Sequence, residues 1–175
     1  MLILFKEDGE LTTRGRQIVQ FVMGIYLLFI VYICFGPQHQ IDGFETPGIM
    51  HIGRVVVLLT PFNSLVNLGE VENFRQLFWV LAQNIVNMFL LYPLLFGMLC
   101  LKTSLRQLKK MIQLAFFMSL SIELTQVLLD LLINANRVFE VDDLWTNTLG
   151  GVFAYYSFLA LQKQIKRKYY PSDEG

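Results

Sequence analysis

The chain has 175 residues, room for one compact domain and not two. Apolar types make up 54% of it and charged types 16%, with a mean hydropathy of +0.49. Soluble domains average about 25% charged residues, so a water-soluble globule is excluded, and a net charge of zero gives no ground for a nucleic-acid partner.

The first apolar run, 18–36, follows Arg14 and Arg16 and contains no charge. A membrane helix needs about 20 such residues. The run ends Tyr32-Ile33-Cys34-Phe35-Gly36-Pro37, without the short core and small-residue site of a cleaved signal. It predicts a retained spanning helix. The connection to the next run is long. Its middle, Val55 to Phe62, is apolar but too short to span, and Pro61 breaks any helix there. This segment is expected to lie at the membrane interface or to re-enter the bundle, where protein or water must satisfy its backbone.

The second run, 77–101, is uncharged but carries Gln83, Asn84, Asn87 and Pro93. The third, 111–133, is interrupted by Glu123, Gln126 and Asp130. The fourth, 144–161, is entered through Asp142 and Asp143, and its Gly150 and Ala154 form a small-xxx-small pair suited to close helix packing. Together the runs predict an all-α protein: one domain over 1–175, an integral membrane bundle of four transmembrane helices, and a long outer loop carrying an interfacial or re-entrant segment.

Lysine and arginine set the orientation. Lys6, Arg14 and Arg16 precede the first run; Lys102, Arg106, Lys109 and Lys110 separate the second and third; Lys163, Lys166, Arg167 and Lys168 follow the fourth. With four spans all three groups fall on one side, opposite Arg54, Arg75 and Arg137. Both termini are therefore expected in the cytoplasm. Cys34 and Cys100 fall at opposite ends of their helices, roughly 30 Å apart, beyond disulfide reach. His39 and His51 share one loop, and no spacing suggests a metal or a cofactor.

An acid at the centre of a spanning helix costs roughly 2.5–3.5 kcal/mol on insertion scales and usually faces a protein interior or cavity. Glu123, Gln126 and Asp130 share one helical face, with Ser119 one turn before them. Asn84 and Asn87 lie at a comparable depth, as do Asp143 and Asn147. The simplest arrangement gathers Asn84, Asn87, Glu123, Gln126, Arg137, Asp142, Asp143 and Asn147 around a polar cavity open to the outside, with Glu123 as candidate acid or base. The plainer alternatives are interhelical amide bonds worth about 0.6 kcal/mol, first-turn aspartates favoured by the helix dipole, and an Arg137 that reaches to headgroups.

The run Ser121-Ile122-Glu123-Leu124-Thr125-Gln126, then Arg137, then Asp142-Asp143-Leu144-Trp145-Thr146-Asn147-Thr148-Leu149-Gly150-Gly151 resembles the VanZ-like family, as does Pro61-Phe62 after an apolar run. The resemblance implies a bacterial plasma-membrane protein with several spans. The family's founding member is associated with reduced susceptibility to teicoplanin. It supplies no mechanism. Three functions stay open: an envelope protein that alters how a glycopeptide or a lipid-linked wall precursor meets the bilayer, an enzyme on an outer-leaflet lipid headgroup, and a small proton-coupled carrier. The partners expected are the lipid bilayer and such a precursor or glycopeptide, with oligomerisation left open.

Overall fold

The computed structural model describes residues 4–36, 48–66 and 74–169. Its order is α1 (Thr13–Phe35), β1 (Met50–Ile52), β2 (Val55–Leu58), α2 (Asn63–Val66), α3 (Phe74–Leu90), α4 (Tyr92–Leu101), α5 (Leu108–Ile133), β3 (Val138–Glu140) and α6 (Val141–Tyr169). His39 lies outside the described residues.

Among the described residues three helical stretches are long and apolar enough to cross a membrane: α1, Leu77–Leu101 through α3 and α4, and α5. α1 starts at Thr12, whose hydroxyl accepts the Gly15 N–H at 2.9 Å and satisfies one of the donors a helix start leaves open. Its outer face is largely bare apolar surface, with Phe21 and Leu28 each 70% exposed. α3 and α4 are one rod broken at Leu91. Pro93 sits in the first turn of α4, where its missing N–H is tolerated, and the Tyr26 hydroxyl donates to the Leu90 carbonyl at 2.8 Å beside the break.

The core lies where α1, α4, α5 and α6 meet, around Leu91, Leu95, Leu99, Met111, Ala115, Ala154 and Phe158. α6 is the central helix, packed on α3, α4 and α5. Two glycines permit this. A Cβ on Gly150 would run into the Met88 carbonyl of α3, and one on Gly151 would come within 2.6 Å of the Ala115 Cβ of α5.

The basic segments gather at one end. Arg16 donates to the Leu101 carbonyl at the close of α4. Arg106 pairs with Glu10 of the N-terminal hairpin and lies 4.7 Å over the Phe158 ring of α6. At the other end Arg54 donates to the Leu131 carbonyl and Arg137 to the carbonyls of Ile33 and Gly36. Among the described residues, Arg16 and Arg106 thus sit at one end of the bundle and Arg54 and Arg137 at the other.

Two expectations change. The chain is mostly helical but not all-α: β1, β2 and β3 form a three-stranded sheet in that order. β1 pairs antiparallel with β2 (His51 with Val56), and β2 pairs parallel with β3 (Val57 with Phe139). Within the apolar run Val55–Phe62, residues Val55–Leu58 form a strand, with Val56, Val57 and Leu58 buried. The fourth run is also different in kind from 144–161. After α5 the chain turns through Asn134 and Asn136, both in the left-handed region (φ 58° and 56°) that asparagine tolerates, and runs back along α5. The Arg137 N–H reaches Asp130 Oδ1 at 2.8 Å, and the Glu140 N–H reaches Glu123 Oε2 at 3.0 Å. α6 therefore begins level with the middle of α5, and it continues to Tyr169.

Candidate functional site

One face of α5 carries Met111, Ala115, Ser119, Glu123, Gln126 and Asp130, all buried. Its first half packs against Gly151. Its second half is polar and must find partners, because a buried polar group without one costs roughly 1–3 kcal/mol. The partners come from three segments: α6, β3 and α1. Ser119 Oγ donates to the Asp143 carbonyl at 3.0 Å and accepts from Asn147 Nδ2 at 3.1 Å. Glu123 accepts the Glu140 N–H. Gln126 Nε2 donates to the Cys34 carbonyl of α1 at 3.0 Å.

These residues enclose a cavity of about 120 Å³ between α1, α3, α5, β3 and the start of α6. Of the eight residues expected together, Asn87, Glu123, Gln126, Arg137, Asp143 and Asn147 line it. Asn87 Nδ2 donates to Asp143 Oδ1 at 2.6 Å, and Glu123 and Asp143 both line the cavity.

Two of the eight lie elsewhere. Asn84 is not in the lining; its neighbour Gln83 is. One step along a helix rotates a side chain by about 100°, and the uniform polarity of Gln83-Asn84 left the phase open. Asp142 faces away from the cavity. It accepts the N–H groups of Phe62 and Asn63 at 2.7 and 2.9 Å and the Trp145 indole N–H at 2.9 Å. Phe62, at φ 54°, stacks on Trp145 with ring centroids 5.2 Å apart. Asp142 thus fastens the 50–66 segment to the first turn of α6.

Glu140 is the residue the sequence reading missed. It stood in what looked like an ordinary turn, and only the return of 134–140 along α5 brings it to the cavity wall. Arg137 forms no ion pair with Glu123, Asp142 or Asp143. Its guanidinium closes the C-terminal end of α1, where unsatisfied carbonyls carry partial negative charge.

Among the described residues, three buried polar atoms of the lining have no partner: Gln126 Oε1, Asn147 Oδ1 and Arg137 Nε. Glu123 is 1% exposed and Asn147 2%. Such groups, set around a polar void, are arranged for water or a ligand.

The model of the family described as VanZ/LLP1 matches residues 23–162, a stretch that holds the whole cavity. No curated protein and no solved structure shows a match to the chain.

Proposed function

The chain belongs to the VanZ/LLP1 family, and on that premise we propose that it is a bacterial envelope protein that crosses the plasma membrane four times, with both termini cytoplasmic. The gathering of Lys102, Lys109, Lys110 and the α6 lysines with the N-terminal arginines supports this orientation. The fourth crossing is then composite: 134–140 enters from outside and α6 completes the passage. The cavity opens toward the outer half of the membrane.

In this reading the cavity takes a polar group of an envelope ligand, and its occupation lowers susceptibility to lipoglycopeptides such as teicoplanin. One observation carries it: buried, unpartnered polar atoms on Gln126, Asn147 and Arg137 face a common void. The size of that void narrows the ligand. A cavity of about 150 Å³ takes a benzene-sized guest, so about 120 Å³ admits a headgroup and not a glycopeptide. The antibiotic is then met indirectly, through the state of a membrane component.

The test is a susceptibility profile of wild type, deletion and Glu123→Gln, with membrane levels matched by immunoblot. Glu123→Gln is expected to match the deletion toward teicoplanin. Wild-type behaviour at equal abundance would make Glu123 a packing residue.

A second reading is an enzyme acting on a lipid headgroup. It is favoured by the presence of two carboxyl residues, Glu123 and Asp143, in one cavity lining, which suits an acid–base pair, with Arg137 Nε placed for a phosphate. Purified protein that leaves labelled envelope lipids unchanged would remove it.

A further inference from the structure

What the cavity can hold follows from the atoms it presents. Carboxyl groups of Glu123, Glu140 and Asp143 line it, together with the amide oxygens Gln126 Oε1 and Asn147 Oδ1, which have no partner. Against these acceptors, Arg137 Nε is the buried lining donor left without a partner. A buried surface rich in acceptors and carboxyl groups is complementary to a ligand that is cationic and rich in N–H donors.

The kind of cation can be narrowed. A quaternary ammonium is held by aromatic faces, and among the described residues no aromatic side chain lines the cavity. Among the described residues no group of three His, Cys, Asp or Glu is placed to hold a metal ion. A primary ammonium offers three N–H donors around one centre, which acceptor oxygens spread along the α5, β3 and α6 walls can receive singly, without the closed shell a metal ion needs.

A second space adjoins the first. An apolar groove of about 330 Å³ lies between α1, α4 and α5, lined by Ile30, Phe35, Leu91, Leu94, Phe117 and Ile122. Ile122 lines both spaces, so polar cavity and apolar groove are neighbours on either side of one side chain. Apolar surface of this kind suits an acyl chain, and α1, which walls the groove, turns its far face to lipid.

Resting on the reading of the cavity as a ligand site, we infer that the ligand is a lipid with a primary-amine headgroup, its ammonium among Glu123, Glu140 and Asp143, its phosphate toward Arg137 Nε, and its chain in the groove beside Ile122. The chemistry is that of an aminophospholipid.

The experiment is native mass spectrometry of the full-length protein released from detergent, offered phosphatidylethanolamine, phosphatidylcholine or N-acetyl phosphatidylethanolamine at equal concentration. Retention of the primary amine is expected to exceed both others by about tenfold, the scale of one lost charge-assisted bond. Glu123→Gln and Asn147→Ser, each checked for unchanged elution on size exclusion, are expected to erase the preference. Equal retention of the three lipids would overturn the ammonium assignment. Displacement by free ethanolamine or phosphoethanolamine at the same concentration as the lipid would overturn the placing of a chain in the groove. If lipid selectivity is absent while Glu123→Gln still behaves as the deletion in the susceptibility profile, the site stands and only its ligand has been misjudged. If both fail, the site itself falls.

Discussion

Asp142 Oδ2 accepts the backbone N–H of Asn63 at 2.9 Å across 79 positions of sequence. The bond joins the segment after β2 to the first turn of α6. The same carboxyl group holds the Phe62 N–H and the Trp145 indole. Asp142→Ala would leave three donors unsatisfied in a site where Asp142 is 3% exposed, and is expected to cost about 3 kcal/mol or more. Asp142→Asn keeps one acceptor oxygen and should cost less. Trp145→Phe removes a donor and leaves no orphan, so about 1 kcal/mol is expected. Reversible denaturation in micelles would rank the three, and a wild-type midpoint for Asp142→Ala would refute the clamp.

Gly150 and Gly24 make a matched pair. A methyl group on Gly150 meets the Met88 carbonyl, which is backbone and cannot swing aside, whereas one on Gly24 meets nothing within 4 Å. Gly150→Ala should destabilise by about 1–3 kcal/mol through overpacking. Gly24→Ala should be neutral or stabilising by up to about 1 kcal/mol, because alanine favours helix. Thermal melting in one detergent settles both, and equal effects would mean that α6 is not pressed against α3.

Glu10 and Arg106 fix the N-terminal hairpin to the basic end of the bundle. The hydrogen bond from Arg106 holds the Glu10 carboxyl below its ordinary value. A carboxyl group depressed in the folded state contributes stability above its unfolded pKa of about 4.3 and loses it as pH falls through the folded value. The pair is partly solvated, with side-chain exposures of 15% and 32%, so its contribution is at most about 1 kcal/mol. Wild type should melt slightly above Glu10→Gln at neutral pH, and the gap should close as the buffer is acidified below the ordinary carboxylate range. A gap that persists at low pH would count against the ion pair.

Much of the site was legible because a helix imposes its own geometry. Ser119, Glu123 and Gln126 must share a face once 111–133 is helical, and Asp143 and Asn147 lie one turn apart on another. Their meeting required only that the two helices pack together, which Gly150 and Gly151 announce. Glu140 and Asp142 were misjudged for a different reason. Their directions depend on a strand of three residues whose partner, Val55–Leu58, lies far off in the chain. Alternation cannot be read in so short a run, and a parallel pairing leaves no turn signature between its strands. The Asn134-Ala135-Asn136 sequence held the one usable signal. Two asparagines so close favour left-handed backbone, and two such residues send the chain back along the helix it has just left.

The parallel pairing of β2 with β3 also sets an order of assembly. Phe62 and Asp142 stand 80 residues apart, and contacts so remote close late, after local helices have formed. During synthesis α1 to α5 can form before Glu140 or Asp143 has left the ribosome. The last element made is therefore the one that completes the walls, and a chain arrested before α6 has anchors but no chamber. In this fold, making the helices and closing the cavity are separate events in time.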